Sequence, residues 1–350
     1  MSIKKIAEMT GVSPSTVSRV LNNPDYKCSA PGMRDAIWKA AIELNYTPNE
    51  AARNLRTGGA KHANTVYYIH VLMTRTDITQ TDPFFSELLH VIESEIHNRN
   101  CILAKIWYQP VFSDEQKCRR ANLEKLIEEM HADLDNKSDG LVIIGKCDAE
   151  AIRILSKRYR GVISVNRNST NYQIDEVTCD GAKIASLAVE HLIRLGHRDI
   201  GYVGTCYKEA RFRGYTDALA KHGLDLVPHY ICDTRQTEAE GYAAMENFMK
   251  EADCPSAIYC ANDITAVGML KCLQRFKNHP QISIISSDDI EEAQFTKPML
   301  TTVRLPKDEM GRQALQLLLD RIRGGHASVI RMEFEGKLMV RESCVERLPG

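Results

Sequence analysis

Several side chains stand where the chain leaves an apolar run, and their types suit the binding of a polyol. Asn262 and Asp288 each end such a run, and Arg211 and Asp180 lie at comparable boundaries. Carboxylates and amides accept from and donate to adjacent hydroxyls, and a guanidinium can hold two hydroxyls or one carboxylate with its planar fork. One arginine balanced by Asp180 and Asp288, with Asn262 between them, favours a neutral sugar as ligand.

The same residues have ordinary structural alternatives. Asp263 and Asp289, which follow Asn262 and Asp288, could cap helices, and Asp288 and Arg211 could be surface charges. Two carboxylates in one cleft could also be a glycosidase pair, which keeps a carbohydrate-acting enzyme among the alternatives.

Strand-like and helix-like patterns alternate from residue 66 onward and indicate the elements that position these side chains. Short apolar runs predict strands over residues 66–73, 141–144, 162–165, 200–203, 257–260, 282–286 and 329–334. Amphipathic stretches predict helices over residues 84–98, 123–131, 149–158, 183–195, 213–221, 240–249, 264–276 and 308–323. This alternation predicts an α/β body with parallel sheets covered on both faces, and its length requires two lobes.

The first sixty residues predict a separate, all-α helix-turn-helix. A first short helix ends at Gly11, and after the turn Ser13 can cap a second helix that begins with Pro14. The apolar stripe of the second helix is expected to face inward and to leave four polar residues outward: Ser15, Thr16, Ser18 and Arg19. A third helix is predicted over residues 31–44. Small polar residues and one arginine on the second helix suit a reader of the DNA major groove.

Two stretches of this region resemble the lactose-repressor family. They are residues 16–22 (Thr-Val-Ser-Arg-Val-Leu-Asn), similar to its recognition helix, and residues 46–55 (Tyr-Thr-Pro-Asn-Glu-Ala-Ala-Arg-Asn-Leu), similar to its hinge. The resemblance extends over the whole chain and implies that Leu55 wedges into the minor groove at the operator centre. The residues it predicts to contact DNA are Ser13, Pro14, Ser15, Thr16, Ser18, Arg19, Asn22, Asn49, Ala52, Leu55 and Arg56. The family often has Tyr-Gln or Thr-Thr at positions 14 and 15, so the operator sequence cannot be transferred.

The resemblance also implies a periplasmic-binding-protein-like body with an effector in the cleft between two similar lobes, at the carboxyl ends of the strands. The effector-binding residues predicted on this basis are Phe84, Phe85, Asp180, Arg211, Gln236, Asn262 and Asp288. Gln236 stands where relatives often present an aromatic ring. Residues 82–85, 139–146 and 295–304 are similar to the galactose and evolved β-galactosidase repressors within the family, which favours a galactoside-like effector.

Charge and cysteine content, together with the lack of membrane and export signals, limit the classes of protein that this chain can belong to. The formal net charge is −1 at pH 7, while the first sixty residues hold eight Lys/Arg against five Asp/Glu, a modest basic excess for a DNA-binding head. The eleven cysteines include no Cys-x-x-Cys pair, so buried thiols in a reducing cytoplasm are expected, with no metal and no cofactor. The absence of a signal peptide and of a run long enough to span a bilayer predicts a cytoplasmic location and speaks against an exported solute-binding protein.

The sequence contains one near match to an enzyme motif, and its residues favour a strand instead. Residues 140–147 (Gly-Leu-Val-Ile-Ile-Gly-Lys-Cys) nearly match a phosphate-binding loop, but their apolar centre predicts a strand, and Cys147 replaces the Mg²⁺-binding Ser/Thr.

The sequence therefore predicts a homodimeric transcriptional regulator, most simply a repressor, whose affinity for a pseudo-palindromic operator is set by a small sugar. The predicted domains are a helix-turn-helix over residues 1–45, a hinge helix and linker over 46–64, and a body over 65–350. Within the body, an N-lobe is expected over about 65–165 and 305–325, and a C-lobe over about 166–303 and 326–350. The chain ends without a leucine heptad, so a dimer is expected rather than a tetramer.

Overall fold

The computed structural model describes residues 3–22, 26, 32–44, 65–75, 82–132, 138–171, 173–251, 253–276 and 281–347. The chain divides into two compact units, Met1–Val66 and Tyr67–Gly350, called here the head and the body. The predicted hinge helix, with Asn49, Ala52, Leu55 and Arg56, lies outside the described residues, so its contacts with DNA stay predictions.

The described residues of the head form three short helices: α1 (Ile3–Thr10), α2 (Pro14–Asn22) and α3 (Met33–Glu43). Gly11 ends α1 with a φ of +66°, and the Val12 N–H donates to the Ala7 carbonyl at 3.2 Å, a C-terminal cap that favours glycine. One apolar cluster joins the helices: Ile6, Ala7, Val17, Val20, Leu21, Ile37, Ala40 and Ala41. Helices this short need such packing to be stable.

The described part of the body forms two six-stranded sheets, one in each lobe. The N-lobe sheet is entirely parallel and has the order β11-β5-β4-β3-β1-β2. Its strands are β1 (Tyr68–Met73), β2 (Ile102–Tyr108), β3 (Gly140–Ile144), β4 (Gly161–Asn166), β5 (Asp175–Cys179) and β11 (Arg331–Phe334). Its helices are α4 (Pro83–Asn98), α5 (Glu115–Arg120), α6 (Leu123–His131), α7 (Ala149–Leu155) and α12 (Lys307–Ile322).

The C-lobe sheet has the order β12-β10-β9-β8-β6-β7, and only its edge strand β12 is antiparallel. Its strands are β6 (Ile200–Gly204), β7 (Ile231–Asp233), β8 (Ala257–Cys260), β9 (Ser283–Asp288), β10 (Thr301–Arg304) and β12 (Lys337–Met339). Its helices are α8 (Gly181–Arg194), α9 (Ala210–Lys221), α10 (Glu238–Phe248) and α11 (Asp263–Arg275). The central strands β6, β8 and β9 are fully buried, as expected for parallel strands covered on both faces.

Two glycines allow α10 and α11 to pack backbone to backbone. A Cβ atom on Gly241 would lie 2.0 Å from the Thr265 carbonyl oxygen, and one on Gly268 would lie 2.0 Å from the Glu238 carbonyl oxygen. Both positions therefore exclude a side chain, and this contact fixes the start of α11, where the cleft begins.

The lobe boundaries differ from the predicted ones in two places. Strand β5 pairs with β4 in the N-lobe sheet, so the chain first crosses to the C-lobe at about residue 180 and not after residue 165. Strand β11 also belongs to the N-lobe sheet, whereas residues 326–350 were assigned to the C-lobe. The reason is that β5 begins with two buried carboxylates, Asp175 and Glu176, which break the apolar pattern of a strand. Arg321 of α12 pairs with Asp175 and stabilises its burial.

Candidate functional site

The beginning of α2 presents hydroxyl groups and one guanidinium. The Ser13 hydroxyl accepts from the Thr16 N–H at 3.1 Å and lies 2.7 and 2.8 Å from the hydroxyls of Ser15 and Thr16. Pro14 occupies the first helical position, and Pro14, Ser15 and Arg19 are exposed. An exposed, capped helix start with short polar side chains can enter a major groove and donate to base edges.

Two residues of α2 that were predicted to contact DNA, Ser18 and Asn22, are not seen as exposed side chains in the structure. Ser18 is only 8% exposed, so the prediction that it faces outward is wrong. The inward stripe of α2 is wider than its apolar residues alone, because Val17, Ser18, Val20 and Leu21 all turn toward the head core. Asn22 ends α2, but its side chain lies outside the description.

In the body, six of the seven predicted effector residues lie in one buried cluster in the cleft between the lobes. Direct hydrogen bonds join the two sides: Arg75 donates to Gln236 at 3.2 Å, and Asn262 donates to Asp82 at 3.4 Å. Arg167, at the end of β4, pairs with Asp288, at the end of β9. The cluster, called here the cleft cluster, consists of Arg75, Asp82, Phe84, Phe85, Arg167, Glu209, Arg211, Gln236, Asn262 and Asp288.

Arg167 is the residue that connects the aromatic pair with the C-lobe carboxylate. Its guanidinium carbon lies 4.5 Å from the ring centroid of Phe84 and 5.3 Å from that of Phe85. Asp288 is fully buried, and its Oδ2 atom has no hydrogen-bond partner within the described residues. Burial raises the pKa of Asp288 to about 6, although the Arg167 guanidinium opposes this rise. The rings, the guanidinium and a free carboxylate oxygen offer apolar stacking and an acceptor for a ligand hydroxyl.

Arg211 is buried and makes three hydrogen bonds within the C-lobe. It donates to Glu209 at 2.9 Å, to the Ala261 carbonyl at 2.5 Å and to Gln236 Oε1 at 3.1 Å. Burial by itself raises the pKa of Glu209, but the Arg211 guanidinium outweighs it and holds this pKa at about 2. Asp180 and Asp288 were the expected charge partners of Arg211, whereas the structure pairs Arg211 with Glu209.

Gln236 takes the place of a stacking aromatic ring and serves as a polar junction. Its Oε1 accepts from Arg75 and Arg211, and its Nε2 donates to the Thr205 hydroxyl at 3.1 Å. Its backbone has a φ of +67°, and its carbonyl accepts from Asn262 at 3.2 Å. Gln236 therefore holds arginines from both lobes through one amide oxygen.

The remaining acidic residues have separate roles. Asp180, the seventh predicted effector residue, caps α8 by accepting from the Ala182 N–H at 2.8 Å. It lines an open cavity of about 680 Å³ that borders the cleft cluster at Arg167 and Glu209. Asp263 accepts from Ser286 and Thr302 hydroxyls, and burial together with nearby Asp288 raises its pKa to about 8. Asp289 pairs with two arginines of the C-lobe, Arg304 and Arg341.

Four residues of the cleft cluster were not predicted from the sequence: Arg75, Asp82, Arg167 and Glu209. The available signal was position: Arg75 and Arg167 come two residues after β1 and one residue after β4, at the same edge as Asp288, the last residue of β9. Glu209 precedes α9 and is recognisable only through its pairing with Arg211.

Among the described residues, no group of three or more His, Cys, Asp or Glu side chains could hold a metal ion. In the described part of the chain, no helix combines the length and the apolar character that crossing a membrane requires.

Comparisons with known proteins match both units. The family model of bacterial regulatory proteins of the lacI family matches residues 2–49, and the model of a periplasmic binding protein-like domain matches residues 189–344. The HTH-type transcriptional repressor CytR of Escherichia coli (strain K12) is 30% identical over 353 residues, covering 98% of this chain and 96% of CytR. The HTH-type transcriptional repressor PurR of Haemophilus influenzae is 28% identical, covering 98% of each chain.

Solved structures agree in fold. The lac repressor dimer bound to operator and the anti-inducer ONPF is 20% identical, with a TM-score of 0.66 and 99% of each chain covered. A lacI-family regulator from Enterococcus faecium with bound ribose is 26% identical, with a TM-score of 0.65, covering 80% of this chain and 100% of that one.

The matched relatives are transcriptional repressors and not enzymes, and they align with head and body alike. The predicted family and the two-lobed body behind a helix-turn-helix are thereby confirmed. This chain belongs to the lacI family of bacterial transcriptional regulators, DNA-binding proteins controlled by small-molecule effectors.

Proposed function

We propose that this regulator is a cytoplasmic repressor that binds a pseudo-palindromic operator as a homodimer and responds to a small sugar bound in the cleft cluster. The observation that carries this proposal is the set of hydrogen bonds between the lobes: Arg75 to Gln236, Asn262 to Asp82 and Arg167 to Asp288. A ligand that enters this cluster must replace or extend these contacts, so its binding depends on how the lobes are arranged.

The chemistry of the cluster suits a sugar. Phe84 and Phe85 are apolar rings, against which the carbon face of a pyranose or furanose can pack. Arg167, Arg211 and Asn262 provide donors, and the Oδ2 atom of Asp288 provides an acceptor for a hydroxyl. The ribose seen in the Enterococcus faecium relative supports a sugar for this chain. A galactoside-like effector is the finer prediction, carried by the stretches 82–85, 139–146 and 295–304.

Regulation follows from a population shift between two lobe arrangements. Effector binding favours one arrangement, which changes the separation of the two N-lobes in the dimer and hence the hinge segments that meet the DNA. A coupling free energy of about 1–3 kcal/mol would change operator affinity by about 5–150-fold. The operator-bound lac repressor dimer supports the same assembly here.

Contacts with DNA are assigned to two segments. In α2, Ser13, Pro14, Ser15, Thr16 and Arg19 are proposed to position the helix and to read bases, with Asn22 at its end. In the hinge, Asn49, Ala52 and Arg56 are proposed to contact the minor groove around the Leu55 wedge.

A thermal-shift screen of sugars, followed by operator-binding measurements, tests the effector. A galactoside or another sugar is expected to stabilise the protein and to change operator affinity. Stabilisation by a purine or an amino acid, with no thermal shift from any sugar, would refute the proposed sugar effector. It would not affect the assignment of the protein as a transcriptional regulator.

The isolated body tests whether the head and hinge alone recognise the operator while the body dimerises and binds the effector. A fragment of residues 62–350 is expected to dimerise and bind the effector without specific DNA binding, because every proposed base contact precedes residue 62. Specific retention of an operator by this fragment would refute the assignment of DNA recognition to the head and hinge.

A further inference from the structure

The open cavity beside the cleft cluster has a strong excess of positive charge. Five basic side chains line it, Lys146, Arg167, Lys208, Arg213 and Arg331, against two carboxylates, those of Asp180 and Glu209. Both carboxylates are already engaged: Asp180 caps α8, and Glu209 pairs with Arg211. Each still contributes one negative charge, so five positive charges against two negative ones leave the lining with an excess of three positive charges.

Three of the five basic side chains have carboxylate partners of their own. Arg167 pairs with Asp288, Lys208 pairs with Glu115 at 2.6 Å, and Arg331 lies 3.5 Å from Glu176. Within the described residues, Lys146 and Arg213 have no carboxylate within 4.0 Å. Lys146 donates to the Lys208 carbonyl at 3.4 Å, which keeps its ammonium group at the cavity. Two uncompensated cations thus face one concave space, one from each lobe.

We propose that this cavity binds an anionic group, a phosphate or a carboxylate, carried by the sugar effector. The inference rests on the proposed function, because the cleft cluster would hold the polyol while Lys146 and Arg213 hold the anion. Arg167 and Glu209 belong to the cleft cluster and also line the cavity, so the two regions are contiguous. The cavity volume of about 680 Å³ suffices for a monosaccharide with an anionic substituent.

The proposed anionic group differs from the neutral polyol that the sequence favoured. A neutral polyol was favoured because only Arg211 was recognised, balanced by two carboxylates. Arg75 adds a further guanidinium whose one described hydrogen bond goes to an amide, that of Gln236. An anion bound between Lys146 of the N-lobe and Arg213 of the C-lobe would bridge the lobes and stabilise the closed arrangement.

Titration with inorganic phosphate tests the anion site on the full-length protein. Phosphate is expected to bind and to stabilise the wild type against thermal unfolding, compared with chloride at equal ionic strength. Lys146→Gln and Arg213→Gln are each expected to weaken phosphate binding about 10-fold, because each removes a charge-assisted hydrogen bond. Arg194→Gln is the matched control, since Arg194 is an exposed helical arginine bonded to a backbone carbonyl. Phosphate binding that is absent, or equal in all four proteins, would overturn the proposal.

A second set of ligands identifies where the anion comes from. Galactose 6-phosphate and galacturonate are expected to bind the wild type at least 10-fold more tightly than galactose, and Arg213→Gln should abolish this preference. Galactose and free phosphate that together bind as well as the ester would overturn the claim that the effector carries the anion. Neutral sugars that bind better than their anionic forms would overturn the anion site and leave the proposed sugar response standing. Phosphate binding with every sugar silent would instead refute the sugar response.

Discussion

The replacement Asp288→Asn tests the cleft cluster at its most isolated polar atom. Asparagine keeps the size of the side chain, removes its charge and tolerates positive φ, which is +125° at this residue. A hydrogen bond to a charged acceptor contributes about 1–2 kcal/mol more than one to a neutral acceptor, so effector affinity should fall about 5–30-fold. Operator affinity without effector should change much less than effector affinity, because Asp288 contacts no DNA and its buried ion pair with Arg167 contributes little net free energy to the lobe arrangement.

The pH dependence gives a second measure of the same group. Burial raises the pKa of Asp288 to about 6, so the wild type loses the ionised acceptor as the pH falls below that value. Effector affinity of the wild type should therefore decrease from pH 7 to pH 5, whereas the Asp288→Asn protein should show a flat profile. Isothermal titration calorimetry with the sugar identified in the screen, across this range, measures both.

Asp289→Asn is the matched control for this experiment. Asp289 is adjacent in the chain, has a positive φ of +51° and is also buried, but it pairs with Arg304 and Arg341 instead of the cleft cluster. Its replacement should leave effector affinity and its pH profile unchanged. Equal losses in both variants, or no loss in Asp288→Asn, would refute the assignment of Asp288 as a hydroxyl acceptor.

Three further predictions concern other parts of the molecule. Arg19→Ala should cost about 1–3 kcal/mol of operator binding and relax one base pair per half-site, and an equal loss on random DNA would contradict base reading. Gly241→Ala places a Cβ 2.0 Å from a carbonyl oxygen of α11 and should lower the free energy of unfolding by about 3 kcal/mol, measured in urea; normal stability would refute the close packing. Burial lowers the pKa of His326, but hydrogen bonds to Asp320 and Asp175 outweigh burial and raise this pKa. The protonated histidine therefore stabilises the folded state. This contribution is complete below pH about 6.5 and is lost as the pH rises through the raised pKa of the folded state. His326→Gln should flatten the stability profile above pH about 6.5, where the wild type loses this contribution, and an unchanged slope would refute the role of this histidine.

The helices of the body were largely predictable from sequence, whereas five of the described strands were not: β2, β5, β7, β10 and β12. The stretch predicted over residues 123–131 coincides with α6, and the other predicted helices end within three residues of those observed. Strands β7 and β12 have three residues each, too few to show a period. Strand β5 was missed because its buried Asp175 is stabilised by Arg321, a partner 146 residues away that no local pattern reveals.

In the candidate site, several residues were predictable from the sequence, but their pairing was not. Asn262, Asp288 and Arg211 stand at recognisable strand or helix ends, and the structure brings them into one cluster. What the sequence could not provide was the pairing among them, because Arg211 with Glu209 and Arg167 with Asp288 are matched only after both lobes have folded. The expected partner of Arg211 was therefore wrong, even though Arg211 itself was correctly selected.

The polar character of the cleft explains how a small ligand can govern the lobe arrangement. Within each lobe, apolar side chains dominate the core and bury area that a sugar cannot replace. Across the cleft, buried ion pairs such as Arg167 with Asp288 gain Coulomb energy but lose hydration, so their net contribution to closure is small. A ligand that hydrogen-bonds to Asp288 Oδ2 and to the neighbouring guanidiniums can then shift the equilibrium between the two lobe arrangements with a binding free energy of a few kcal/mol. An apolar cleft of equal area would stay closed without a ligand, and the regulator would lose its response.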